Sequence, residues 1–153
     1  MTHAIKNEMY AANFADGIVV FAKKNGLARD SDVRQVLDFI IEHRLTTNAV
    51  IAFSGGGALN PRQRQWSVDA LASIPKGGRF ALLTPASEAL GSATAMQWRA
   101  QGRMVLVEAF GSDVEAALAF IKAGDRGTRI RSRLRELIIM VQGDPDGCVL
   151  NRL

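Results

Sequence analysis

Cysteine is all but missing from this chain, since Cys148 is the one thiol among 153 residues. A lone cysteine closes no internal disulfide and brings no second thiolate to a zinc site, so a reducing cytoplasm is the expected location. Histidine is nearly as scarce. His3 and His43 are the two present, and neither stands at a spacing that suits a metal or a serine triad. The Gly-x-Ser-x-Gly elbow of serine hydrolases is absent too. Catalytic residues, a metal centre and a resident cofactor are accordingly not expected. Proline occurs four times with no low-complexity tract beside it, which excludes a disordered or linker-rich chain. No apolar run approaches the roughly 20 residues of a membrane span, and the N-terminus lacks the apolar core of a signal peptide.

What is present is the composition of one globular domain. Hydrophobic residues make up 48% and charged residues 22%, and a chain of this length buries roughly two-thirds of the surface its unfolded form exposes. The net charge of +4 is unevenly placed: residues 122–153 hold seven of the 19 basic side chains and four of the 15 acidic ones. The remainder is close to neutral, which argues against a broad nucleic-acid footprint.

The stretch from Asn48 to Pro61 organises the rest. Val50 to Phe53 is a continuous apolar run, as in a strand covered on both faces. Ser54, Gly55, Gly56 and Gly57 follow as a bare turn. Asn60 before Pro61 then predicts a helix start, because the amide side chain caps free N–H groups and proline needs no donor at the first helical position. Upstream, Met9–Phe14 and Gly17–Ala22 read as strands of a hairpin turning at Asp16-Gly17. A helix is expected from Asp30 or Ser31, either of which can cap it, to about Arg44, with Val33, Val36, Leu37, Ile40 and Ile41 on one face.

Downstream, a helix from Pro61 to about Ser73 places Trp66, Ala70 and Ile74 on one face, and Pro75-Lys76-Gly77-Gly78 breaks it. Arg79–Thr84 is the next strand. A helix rich in small residues runs from Ser87 to Trp98, with Gly102 placed to end it, and Met104–Val107 is the strand after it. Ser112 with Glu115 predicts a capping box for a helix ending near Gly124. Strands alternating with helices imply a mostly parallel sheet. Trp66 and Trp98, at helical spacing among apolar neighbours, read as core.

The stretch Arg126 to Val141 falls outside that alternation. Ile130, Leu134, Leu137, Ile138 and Val141 share a face, while Arg126, Arg129, Arg131, Arg133 and Arg135 occupy the flanks and back. Such a basic amphipathic helix packs on the body of its own chain or on a second copy as a homodimer; an acidic partner or an anionic membrane is the further alternative.

In order and spacing these motifs resemble the STAS superfamily, the sulfate-transporter and anti-sigma-factor-antagonist fold, and within it the bacterial stand-alone members. The resemblance covers about residues 9–122. It rests on Asp16-Gly17-Ile18-Val19-Val20-Phe21, on Phe53-Ser54-Gly55-Gly56-Gly57-Ala58-Leu59-Asn60-Pro61-Arg62-Gln63-Arg64, and on Leu82-Leu83-Thr84 leading into a helix with Gly91 and Trp98. Phe110 before a short helix with Ala116, Ala117 and Leu118 completes it.

The resemblance implies a STAS-like α/β domain over residues 1–124: a mostly parallel sheet with an N-terminal β-hairpin, packed with helices. A C-terminal basic, amphipathic helical extension over 125–153 is added to it. It further implies a non-enzymatic signalling module that binds a regulatory protein, such as a kinase or an anti-sigma-type factor. The partner face would comprise Ser54, Gly55, Gly56, Gly57, Asn60, Arg62, Gln63 and Arg64. Asn60-Pro61 stands where the antagonists carry an Asp-Ser-Ser-Gly type phosphoacceptor motif, which leaves Ser54 as the candidate for phosphorylation. Two other readings stay open: a module that binds a nucleotide, phosphate or lipid near Ser54 to Asn60, and a homodimeric adaptor joined through Arg126 to Val141.

Overall fold

The computed structural model describes residues 3–75, 78–100 and 105–153. The breaker at Lys76-Gly77, the helix end expected at Gly102 and the strand start at Met104 lie outside them. Asp16 and Gly17 form the hairpin turn by taking positive φ, +58° and +76°, the backbone a two-residue hairpin loop requires. That turn fixes the register of β2 (Tyr10–Ala15) on β3 (Ile18–Lys23), from Ala15 opposite Ile18 to Tyr10 opposite Lys23. A short strand that the sequence pattern does not announce, β1 (Ala4–Lys6), pairs antiparallel with β2 on its outer side.

Beyond β3 lie β4 (Ala49–Ser54), β5 (Gly78–Leu83) and β6 (Val105–Ala109), each parallel to its neighbour. Among the described residues this makes one six-stranded sheet in the order β1-β2-β3-β4-β5-β6. It is the expected α/β class, a mostly parallel sheet opened by an antiparallel hairpin. Every residue of β4 is buried, as its unbroken apolar run requires.

Helices α1 (Asp30–Glu42), α2 (Pro61–Ala72) and α3 (Ser87–Arg99) connect successive parallel strands. Crossovers of one hand between adjacent strands deposit their helices on the same face, and the apolar sides of all three meet the sheet in a first core. Helices α4 (Val114–Phe120) and α5 (Gly127–Val141) cover the opposite face and close a second core.

The α5 stripe is the one its periodicity predicts. Ile130, Leu134, Leu137, Ile138 and Val141 are all buried, against β2, β3 and β4 of the same chain. A homodimer through that stripe would have to undock it first; Ile139 and Met140 are what α5 shows outward. The basic residues of α5 fasten it to the hairpin. Arg129 Nε and Arg133 Nη2 reach the Asp16 carboxylate at 3.1 and 3.0 Å, and Arg126 Nη1 donates to the Asp16 carbonyl at 2.8 Å.

Several local expectations change. Asp113, not Ser112, caps α4, accepting from the Ala116 N–H at 3.0 Å, while Glu115 pairs with Arg131. The helix stops at Phe120, because Lys122 takes a φ of +56° and a 3-10 turn, Gly124–Arg126, precedes α5. Neither Asp30 nor Ser31 caps α1: Arg29 holds that position without a side-chain bond. Trp98 is 74% exposed, contrary to a core role. The buried side of α3 is Ala89, Ser92, Ala93 and Met96, and a residue two beyond Met96 points about 200° away from it. Trp66 is half-buried at the edge of the first core, with the guanidinium groups of Arg34 and Arg62 at 4.4 and 5.5 Å from its ring centre.

Candidate functional site

The hairpin register and the parallel pairing of β3 with β4 line up three polar side chains. Tyr10 stands opposite Lys23, and Lys23 opposite Ser54. Residues directly paired across strands project to the same face, and all three border one cavity beneath α1, α2 and α3. Lys23 and Ser54 are the last residues of their strands, so the row lies at the carboxyl ends of the parallel strands, where open α/β sheets bind their ligands.

The cavity measures about 60 Å³. Phe21, Phe80 and Leu82 form part of its floor on the sheet, and Val36, Leu71 and Met96 part of its roof on the helices. That size lies between the 10–15 Å³ or so that one water needs and the roughly 150 Å³ of a cavity that takes up benzene. It suits a short chain and is far too small for a nucleotide.

The polar groups of the wall differ in what they still offer. Ser67 donates its proton to the Gln63 carbonyl at 2.9 Å. Ser54 and Ser92 accept, from the N–H groups of Gly56 at 3.3 Å and Leu59 at 3.2 Å, which leaves both hydroxyl protons to be given. Tyr10 is 3% exposed, and its hydroxyl makes no hydrogen bond to any described residue. Burial, and secondarily the charge of Asp32, pushes the phenol pKa up, so the group stays a donor.

Lys23 is 4% exposed. Its ammonium donates to the carbonyls of Gly26 at 2.5 Å and Gly56 at 2.6 Å, with longer contacts to Lys24 O at 3.2 Å and Gly57 O at 3.5 Å. Burial pulls the amine down to about 8, against the opposing field of Glu88. The glycine turn is thus drawn onto a buried cation. Its amides are committed as well: Gly55 N–H donates to Lys23 O at 2.9 Å, Gly56 N–H to Ser54 Oγ, and Gly57 N–H to Glu88 Oε1 at 3.2 Å. The bond from its own amide, and then that from Gly57, holds the Glu88 carboxyl below its ordinary pKa.

Glycine is required here by crowding. A Cβ on Gly55 would meet the backbone of Gly143 and Asn25, and one on Gly57 would meet the backbone of Gly26; Gly57 also has a φ of +85°. The turn is where the β3–α1 loop, the β4–α2 loop and the segment after α5 pack together. It is not an open phosphate cradle, since its three glycine amides are already bonded.

The residues singled out from sequence therefore scatter. Ser54 is buried, and a kinase would have to open the turn to reach it; Gly56 is buried and Gly55 and Gly57 are half-buried. Asn60 caps α2 as predicted, in a reciprocal box: its side chain accepts from Gln63 N–H at 2.8 Å and Gln63 Oε1 accepts from Asn60 N–H at 3.1 Å. Gln63 is buried and also binds Ala28 O and Asp30. Two arginines near a helix start oppose its dipole, and each has a local reason to be there. Arg62 pairs with Asp30 at 2.7 Å, and Arg64 donates to Leu59 O at 2.6 Å. Of the eight, Asn60 and Arg62 are exposed.

Tyr10, Lys23, Ser67, Ser92 and Glu88 are the site residues that sequence reading missed. One signal was available. With the turn at Asp16-Gly17, pairing outward places Tyr10, the chain's one tyrosine, directly opposite Lys23, a charge closing an otherwise apolar strand.

Fold and site together define an α/β protein with an apolar, donor-lined cavity at the carboxyl ends of its parallel strands. No protein-family model, no curated protein and no solved structure matches the chain. Among the described residues, no helix is long and apolar enough to cross a membrane.

Proposed function

We propose that this chain is a non-enzymatic module that binds a small, largely apolar molecule in the cavity between its sheet and helices α1 to α3. The observation that carries this reading is the cavity itself: about 60 Å³, apolar over most of its wall, with Tyr10, Lys23 and Ser54 aligned along one end. Sites of this make-up, concave and apolar with a few convergent polar groups, are where small molecules bind. A ligand of about two or three carbons, well short of benzene, matches the volume. The cytoplasm is its proposed location.

Thermal melting against a panel of short-chain alcohols, amides and acids, with a nucleotide and inorganic phosphate as controls, tests it. A ligand at about ten times its Kd adds about 1.4 kcal/mol, a rise of about 3–6 °C in Tm for a chain of this size. Short chains are expected to give that rise and the controls none; a panel without any shift contradicts the reading.

A second reading, regulatory protein binding of the STAS type, is supported by a different feature. Arg34 and Arg62 both lie against the half-buried Trp66 of α2, and an aromatic flanked by arginines is the composition of an interface hot spot. Affinity capture with the intact chain and with an Arg34→Glu, Trp66→Ala variant tests this face. A specific partner lost from the variant supports it, and identical recoveries remove it.

A further inference from the structure

We propose that β6 is a dimerisation edge, on which a second copy of this chain pairs its own β6 antiparallel about a two-fold axis at Val107. The two edges of the sheet are unequal. β1 ends it on one side with only Ala4, Ile5 and Lys6, and a very short strand carrying a lysine is one way proteins keep an edge from pairing. β6 ends it on the other side with Val-Leu-Val-Glu-Ala. The Phe110 N–H donates to Leu82 O at 3.1 Å. Backbone groups alternate sides along a strand, so Leu106 and Glu108 bond toward β5, while Val105, Val107 and Ala109 turn their N–H and C=O groups outward. No described residue partners those outward groups.

A copy of the same strand fits this edge. Antiparallel pairing centred on Val107 sets that residue opposite its own counterpart and Val105 opposite the other copy's Ala109, so each outward N–H meets an outward C=O. Leu106 then stands across from the other copy's Glu108, which keeps the two carboxylates, the only charges on β6, from facing each other. Leu106 alternates with Val105 and Val107 of the first core, so it projects to the opposite face, where it is 50% exposed. On the first face α3 packs along β6. Gln97 Nε2 lies 3.5 Å from Glu108 Oε1, which marks the side of α3 toward the edge, and Thr94 and Leu90 share that side at helical spacing. An uncharged side of α3 therefore meets its counterpart across the axis. Pairing β6 with β1 of a further copy would instead leave edges open and build a filament; the two-fold arrangement uses one edge twice and closes.

Sedimentation equilibrium of the intact chain, as wild type, Leu106→Glu and Leu106→Lys, tests the edge and its register together. Wild type is expected at twice the chain mass of 16.6 kDa. Leu106→Glu sets a second carboxylate across from Glu108 at both symmetry-related positions and should weaken association about tenfold or more. Leu106→Lys places an ammonium there instead and should keep the dimer. Because Leu106 is half exposed, both variants should retain the wild-type circular dichroism spectrum. A wild type of 16.6 kDa at all loading concentrations overturns the proposal. So do masses that grow past the dimer, a Leu106→Glu dimer as tight as wild type, and equal weakening by glutamate and lysine.

Discussion

The ammonium of Lys23, at the end of β3, donates to the carbonyl of Gly56 across 2.6 Å. One bond thus links the hairpin strand to the turn that follows the central strand, and it does so beneath the helices. Together with the Gly26 bond it holds the glycine turn shut over the cavity. The turn is, in the fold, part of the wall of an interior cavity.

Substitution in that turn is expected to be severe. Gly57→Ala places a methyl group against the Gly26 backbone at a φ of +85°. Backbone strain and overpacking together cost about 2–4 kcal/mol. Urea unfolding of Gly57→Ala beside Gly91→Ala, whose Cβ meets nothing within 4 Å, measures it; the Gly91 variant should be neutral or slightly stabilising, since alanine suits a helix better than glycine.

The clamp between Asp16 and α5 has a pH signature. Hydrogen bonds from Arg133 and then Arg129 hold the Asp16 carboxyl below its ordinary value of 3.8. A carboxylate with a depressed native pKa contributes stability above its unfolded pKa and loses it as pH falls through the native one. The stability difference between wild type and Asp16→Asn should therefore be constant from neutral pH down to about 5 and shrink below 3.8. Denaturant midpoints between pH 7 and 2.5 follow it, and added salt should narrow the difference because the clamp is exposed.

Docking of α5 on its own sheet separates two adjacent residues. Ile138 is fully buried and Ile139 is 56% exposed. Ile138→Ala is expected to cost about 2–5 kcal/mol and Ile139→Ala about 0.5 kcal/mol or less, measured by chemical unfolding. Similar costs at both positions would contradict the packing.

What the sequence disclosed, and what it hid, has a physical pattern. Local chemistry was readable: the Asp16-Gly17 turn, the Asn60-Pro61 cap and the α5 stripe from Ile130 to Val141 appear as their residue types demand. Where two residues competed for a role the neighbour won, as Asp113 did over Ser112. Side-chain commitments were not readable, because they depend on segments distant in the chain. The pairing of Arg62 depends on α1 bringing Asp30 to it, and the burial of Ser54 on the loops around Asn25 and Gly143 closing over the turn. The cavity was invisible for the same reason, its polar row drawn from three strands and its roof from three helices.

Filling the cavity is expected to stabilise the protein and silence it together. Ala93 is a small, buried residue of α3 that borders the space. Ala93→Met extends a flexible apolar chain into it and should add about 0.5–2 kcal/mol, while the short-chain ligands lose their effect on Tm. A variant that is stabilised and still binds would place the ligand elsewhere.

The most direct measurement is a methyl-resolved NMR titration of the intact chain with the smallest alcohols, amides and acids of the melting panel, those of about two or three carbons. The account predicts that methyl signals of Val36, Leu71 and Met96, which roof the cavity, move saturably with at least one of them. Those of Leu134 and Ile138, in the second core across the sheet, should stay in place. Shifts confined to exposed methyls such as Leu27 and Leu45, or none at all up to saturating ligand, would contradict a ligand site beneath α1 to α3.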